Sequence, residues 1–154
     1  DEKKIEINSA NTFLPMLTGA ISEDIAEAVV NEHLLNKEEY FLGKKIKYIV
    51  PSVSQTEKTF SPGGISYKLR GKHWRGPVWI NLNWMIARGL LNYGYVEVAN
   101  KIKESSLKLV RKEGLYEKFD PRNGKGLGQK DQSWTTIVLD MLKDFEKCHW
   151  AGIL

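Results

Sequence analysis

The chain has 154 residues, of which 42% are hydrophobic and 10% aromatic. This is about the size of one domain with a real core, which excludes global disorder. The formal net charge of +4 comes from scattered lysines and not from one basic face, which argues against nucleic acid as a partner. No run approaches the ~18 apolar residues that a membrane span needs, so no membrane partner is expected. The single cysteine, Cys148, excludes an internal disulfide and favours a reducing, cytoplasmic location.

The first part of the chain predicts two helices. A short helix is expected between residues 11 and 20, with Pro15 in its first turn. An amphipathic helix is expected over 23–35, with Ser22 as its N-cap. Its predicted apolar residues are Ile25, Ala28, Val29 and Leu35. His33 lies on this helix without a cluster of partners, so no metal site is predicted.

Residues 36–72 predict an irregular connection: one turn at 36–40, a loose alternation of apolar residues at 45–50, and then a stretch from Pro51 that is rich in Ser, Gly and Pro and has no periodic pattern. A long irregular connection inside a compact domain is unusual, and such loops are often functional. We expect this segment to lead into the tryptophan-rich stretch that follows.

Residues 73–84, HWRGPVWINLNW, contain three tryptophans within twelve positions. Between Trp74, Trp79 and Trp84 lie Arg75, a Gly-Pro turn, and the carboxamides of Asn81 and Asn83. Aromatic faces beside hydrogen-bonding amides suit a sugar, which has apolar C–H faces and a rim of hydroxyls. The stretch by itself leaves a second interpretation equally open: a helix start whose tryptophans fill the core.

Three further helices are predicted. The helix over 80–92 is apolar nearly all round and should be buried on most sides, whereas the helix over 95–112 has a clear polar face. Because a short link joins them at Gly94, they should form an antiparallel hairpin with one inner and one outer helix. A last, mostly buried helix is predicted over 133–145. Before it lies a glycine-rich loop, 115–132, whose backbone could approach a ligand closely.

The motifs HWRGPVWINLNW, YEKFDP and GLGQKDQSWT, in this order, resemble the C-terminal part of glycoside hydrolase family 63. The resemblance covers nearly residues 11–143, and FLPMLTG, EHLLN and VPSVS contribute to it. It is strongest with the bacterial and archaeal α-glucosidases and the mannosylglycerate or glucosylglycerate hydrolases, and more distant with trehalases. The resemblance implies an all-α fold that is part of an (α/α)6 barrel of six inner and six outer helices. Residues 1–154 would be a single domain, the C-terminal portion of a larger catalytic domain.

The resemblance also implies roles for single residues. Glu117 would be the general base that activates water in an inverting α-glycosidase acting on a small α-glucoside or α-mannoside. Asp120 is the next carboxylate along the chain, but its place before Pro121 favours a structural role. Arg75 and Asn81 would support the site, Arg75 by ordering its loop. Sugar contacts are implied for Trp74, Trp79, Gln132 and Trp134.

One part of the family pattern is missing from this chain. Inverting glycosidases need a carboxylic acid as well as a base, and the family's acid is an Asp on a segment upstream of the tryptophan motif. No acid before Trp74 matches that motif, and the chain starts without an initiator Met. The expected partners are therefore a small carbohydrate and the remainder of the catalytic domain, with self-association of the isolated chain. No cofactor is expected. The alternative function is a non-catalytic, α-helical sugar-binding or interaction module.

Overall fold

The computed structural model describes residues 6–63 and 74–143. At its centre lies helix α2, Ile80–Asn92, of which eight of the thirteen residues are buried. Helix α2 packs against helix α3, Val96–Glu113, and against two 3₁₀ helices, Ala10–Thr18 and Ser133–Leu142. The close approach of Ala10–Thr18 depends on Gly89, where a Cβ would lie 2.9 Å from the Leu17 nitrogen.

The relation between α2 and α3 confirms the predicted helix hairpin. Residues 93–95 connect the two helices, and Gly94 adopts a φ of +77° there. The polar face of α3 is exposed, and its inward face carries an apolar stripe: Val98, Ala99, Ile102 and Leu109. Helix α2 is thus the more buried helix of the pair.

The predicted helix over 23–35 forms, but its apolar face differs from the predicted one. Helix α1, Glu23–Ala28, continues directly into a π-helical segment, Val29–Leu34, and the Ser22 hydroxyl accepts from the Ile25 N–H at 3.4 Å. Ile25 is 52% exposed. The face that packs inward is instead Ala26, Val30 and Leu34, which recur every four residues and so lie along one side of the helix.

The connection after Leu35 is irregular throughout its described part, residues 36–63, as predicted; 64–72 lie outside the described residues. Buried polar contacts hold this segment against the helices. The Asn83 amide on α2 donates to the Ile49 carbonyl at 3.1 Å and to the Ser106 hydroxyl at 3.3 Å. One buried carboxamide thereby joins the connection, α2 and α3.

The prediction of an all-α fold is wrong in one segment. Strands β1, Tyr116–Phe119, and β2, Gly126–Lys130, form an antiparallel hairpin where an irregular loop was expected. In the tight connection between them, the Gly124 N–H donates to the Asp120 carbonyl at 2.7 Å. Asn123-Gly124 is a common turn dipeptide, and β1 is too short to show an alternating pattern.

The last predicted helix is present as the 3₁₀ helix Ser133–Leu142. It ends at Leu142, because Lys143 is extended; residues 144 and 145 of the predicted helix lie outside the described residues. Val138 and Met141 are buried against the core, but Leu139 and Leu142 are 64% and 57% exposed. The prediction of a mostly buried helix is therefore wrong for its described part, in which three of the ten residues are buried and one apolar face is uncovered.

Candidate active site

Strand β1 brings together three segments that are far apart in sequence. Val78 exchanges two backbone hydrogen bonds with Phe119, of 2.8 and 2.9 Å, which fixes the tryptophan stretch beside β1. On the other side, the Gln132 N–H donates to the Leu115 carbonyl at 2.9 Å, and the Thr135 hydroxyl donates to the Tyr116 carbonyl at 2.6 Å. The start of the last helix is thereby fixed next to the same strand.

The tryptophans of the two motifs form one continuous aromatic cluster. The rings of Trp74 and Trp79 are stacked, with centroids 4.0 Å apart and planes 9° apart. Trp134 follows, tilted by 40°, with its centroid 6.1 Å from that of Trp79. Trp74 and Trp134 are 50% and 40% exposed, whereas Trp79 is 4% exposed because its neighbours cover it. The exposed aromatic surface of the cluster is thus supplied by Trp74 and Trp134.

Glu117 lies at the edge of this cluster, in the middle of β1. Its backbone carbonyl accepts from Nε1 of Trp134 at 3.1 Å, and its carboxylate accepts from the Gln129 N–H at 3.3 Å. The hairpin register shifts between Tyr116 and Lys118, so that Gly128 and Gln129 on β2 oppose Glu117 alone. This is a β-bulge, and Gly128 has the positive φ, +77°, that such a bulge requires. The Glu117 side chain is 14% exposed.

Lys118 brings a buried positive charge to the same place. Its Nζ lies 3.6 Å from Oε2 of Glu117 and 5.1 Å from the centroid of the Trp79 ring. Burial lowers the pKa of Lys118 from its ordinary value, and the carboxylate of Glu117 opposes this shift. The Lys118 ammonium group thus contacts both Glu117, the candidate base, and the Trp79 ring of the aromatic cluster.

The remaining predicted site residues differ in how they contact this cluster. Asp120 is engaged by Arg122, which donates from Nε to Oδ1 at 3.0 Å and from Nη2 to Oδ2 at 2.7 Å. This geometry agrees with a structural role for Asp120. Arg75 is exposed, and its guanidinium has no carboxylate partner within the described residues. Its backbone carbonyl accepts a hydrogen bond from the Ser61 N–H at 2.6 Å. The backbone of Gln132 is held beside β1, as described above, and the role of its side chain stays a prediction.

A second concave region adjoins the cluster on the side of the last helix. This cavity has a volume of about 520 Å³ and lies between α2 and Ser133–Leu142, and Trp134 belongs both to its lining and to the aromatic cluster. Asn81 lines it, and its Oδ1 is buried without a hydrogen-bond partner in the described part of the chain. At its other end, Asp140 accepts from Nε1 of Trp84 at 2.8 Å and pairs with Arg88.

The charge on Asp140 is stabilised by its neighbours. Burial alone would raise the pKa of this carboxyl, but hydrogen bonds from Lys143, Arg88 and Trp84 outweigh it and hold the pKa well below its ordinary value. Among residues 6–63 and 74–143, no group of three His, Cys, Asp or Glu side chains could hold a metal ion. No helix in the same ranges is long and apolar enough to cross a membrane.

Sequence reasoning missed two residues of this site, Lys118 and Gly128. A lysine in a short polar motif is ordinarily exposed, because an ammonium is costly to bury. Only the neighbouring Glu117 hinted at a partner. Gly128 belongs to a run of glycines that suggested close approach of a ligand, but its position opposite Glu117 depends on a hairpin that was not predicted.

Comparison with known proteins identifies the family of the chain. Residues 1–135 match the family model described as the mannosylglycerate hydrolase MGH1-like glycoside hydrolase domain. The chain is 37% identical over 134 residues to a mannosylglycerate hydrolase of Thermus thermophilus, covering 87% of this chain and 29% of that protein. It is 30% identical over 143 residues to a glucosylglycerate hydrolase of Mycolicibacterium hassiacum, covering 92% and 30%.

A solved structure extends the match to three dimensions. A family 63 mannosylglycerate hydrolase from Thermus thermophilus, in complex with glucose, superposes with a TM-score of 0.75 at 34% identity, over 91% of this chain and 30% of that one. The chain belongs to the MGH1-like glycoside hydrolase family, and so to a family of hydrolases. It spans about a third or less of the length of these relatives.

Proposed function

We propose that this chain supplies the general base and part of the sugar-binding surface of an inverting α-glycosidase that hydrolyses a small α-glucoside or α-mannoside. The observation that carries the proposal is the convergence at β1. The Lys118 ammonium group lies near both the Glu117 carboxylate and the Trp79 ring, and Nε1 of Trp134 donates a hydrogen bond to the Glu117 carbonyl. A general base must lie beside the bound substrate, and aromatic faces next to a carboxylate meet that requirement.

The substrate class follows from the exposed aromatic faces and from the relatives. Trp74 and Trp134 offer apolar surface for the C–H face of a sugar ring, while Trp79 supports them from beneath. The named relatives hydrolyse mannosylglycerate and glucosylglycerate. Glycosides of glycerate are therefore the first substrates to test, with α-glucosides and trehalose beside them.

We infer that the second half of the catalytic pair comes from outside this chain. Inverting glycosidases hold two carboxyl groups ~6.5–9.5 Å apart, and Asp120, the carboxylate that follows Glu117, is already engaged by Arg122. We propose that the remainder of a larger catalytic domain supplies the general-acid Asp. In that domain, α2 and Ser133–Leu142 would be inner helices of an (α/α)6 barrel and α3 an outer one.

The uncovered face of the last helix supports the same arrangement. Leu139 and Leu142 are exposed there, and exposed apolar patches favour association. The remainder of the domain would cover this face, and the isolated chain should self-associate. Sedimentation of the isolated chain as a monomer at micromolar concentration would count against this arrangement.

The test compares three samples on the substrates above: the 154-residue chain, the complete protein, and the complete protein with Glu117→Gln. The amide keeps the shape of the side chain but cannot take a proton. The turnover rate should therefore fall by about 10²–10⁴-fold, while the affinity for the sugar is retained. Glu97→Gln, at an exposed position of α3, is the control and should keep full activity.

Two results would separate this proposal from its rival, a non-catalytic sugar-binding or interaction module. The proposal predicts hydrolysis by the complete protein and none by the isolated chain, because the acid is absent from it. Sugar binding without hydrolysis by the complete protein would favour the non-catalytic module. Full activity of Glu117→Gln would show that another group is the base.

A further inference from the structure

Lys118 is an unexpected residue to find beneath an aromatic cluster. Its side chain is 6% exposed, and burial of an ammonium group is unfavourable unless an opposite charge or a polarisable face compensates it. Here the carboxylate of Glu117 and the Trp79 ring both lie near Nζ, at 3.6 and 5.1 Å. A cation above a tryptophan ring is a favourable arrangement. Lys118 therefore lies close to both Glu117, the candidate base, and the Trp79 ring of the aromatic cluster.

The hairpin irregularity makes this placement possible. Neighbouring side chains on a regular strand point to opposite faces, so Glu117 and Lys118 would ordinarily be separated. The register shift between Tyr116 and Lys118 falls at this step of β1, and a bulge re-aims side chains locally. From the other strand, the Gln129 N–H donates to the same carboxylate oxygen that faces Lys118.

We propose that Lys118 is a positioning residue for the base, which holds the Glu117 carboxylate against the aromatic cluster in the orientation from which it can reach a water molecule. This inference rests on the proposed function, in which Glu117 is the base. A base acts only within hydrogen-bond reach of the proton it removes, and a displacement of about 1 Å can lower the rate by about 10²-fold. Lys118 and the Gln129 N–H both approach Oε2, so together they fix the direction in which the carboxylate points.

A purely structural role for Lys118 predicts something different. If the lysine only filled space with its aliphatic stem, Lys118→Met would preserve its function, because methionine has a similar length and no charge. If the charge orients Glu117, Lys118→Met should impair catalysis and Lys118→Arg should preserve more of it. The matched control is Lys101→Met on α3, since the Lys101 ammonium also lies over an aromatic ring, 5.7 Å from the centroid of Phe41, but at an exposed position.

The experiment measures kcat and KM of the complete protein for its best glycoside substrate. Lys118→Met should lower kcat by about 10- to 10²-fold with KM nearly unchanged, because the orientation of the base matters in the transition state and not for sugar binding. Lys118→Arg should recover part of the loss, and Lys101→Met should have wild-type values. In a Glu117→Gln background, Lys118→Met should have no further effect on kcat. An unchanged kcat for folded Lys118→Met, or the same fold-loss in both backgrounds, would overturn the inference.

A second measurement on the complete protein, with Lys118 intact, covers the case in which Lys118→Met fails to fold. The pKa of Lys118, followed by NMR of its ε-carbon, should fall further when Glu117 is replaced by Gln, because the carboxylate is what opposes the effect of burial. An unchanged Lys118 pKa would show that the two groups are not coupled and would overturn the inference. A fully active Glu117→Gln protein, by contrast, would overturn the proposed function itself.

Discussion

Replacement of Gly128 by Ala is the perturbation that tests the position of Glu117 most sharply. A Cβ at residue 128 would overlap Oε2 of Glu117 and lie 2.8 Å from its Cδ. Non-bonded carbons prefer about 3.5–4.0 Å, so the carboxylate has to move by about 1 Å. A displacement of that size can reduce the rate by about 10²-fold, and we expect a loss of at least that order in kcat.

The second consequence of Gly128→Ala is backbone strain, and the chain contains a control for it. Gly128 has a φ of +77°, and a side chain in this left-handed region costs about 1–2 kcal/mol. Gly94 has the same φ of +77°, but a Cβ there would meet nothing within 4 Å. Gly94→Ala should therefore lose a similar amount of stability without losing activity.

The assay combines urea unfolding of both variants with kcat measurements on the complete protein. Both variants introduce the same backbone strain, so the difference between their kcat values reports the crowding of the Glu117 carboxylate. If Gly128→Ala lost stability to the same extent as Gly94→Ala and kept full activity, the observed orientation of Glu117 would not be the catalytic one.

Two further predictions concern the tryptophan cluster and the buried ion pair. Trp134→Ala should weaken sugar binding by about 10-fold, or about 1.4 kcal/mol, because an exposed stacking face is lost; Trp134→Phe keeps a ring and should retain most of the affinity in calorimetric titration. Asp140→Ala should destabilise the fold by about 3 kcal/mol in urea unfolding, because it leaves the buried Arg88, 4% exposed, without its carboxylate. Since the folded-state pKa of Asp140 is depressed, its contribution should be complete above the unfolded value of about 3.9 and lost as pH falls below it. Equal stability of wild type and Asp140→Ala at pH 7 would contradict this.

The helices of this fold were predictable because their signals are local. The predicted 80–92 segment is the observed α2, and 95–112 differs from α3 by one residue at each end. An apolar surface with a period of 3.6 residues identifies a helix whatever its neighbours are. The burial of α1 was less predictable: Ile25 is exposed while Ala26 is buried, because the packing partners of a short helix, and not its composition, select its inward face.

The site was predictable in its residue types but not in its supporting contacts. The motifs placed Trp74, Glu117 and Trp134 in one group. The burial of Lys118 depends on the bulge opposite Glu117 and on the bridge between Val78 and Phe119, which joins residues 41 positions apart. Such pairing between distant segments leaves no periodic signal in either of them.

The measurement that tests the central claim most directly is the configuration of the first sugar released by the complete protein, followed by proton NMR before the anomers equilibrate. A general base at Glu117 activates water for attack on the face opposite the leaving group, so an α-glycoside should release the β-anomer. Initial release of the α-anomer would mean retention through a covalent intermediate, and would contradict the assignment of Glu117 as the base of an inverting enzyme.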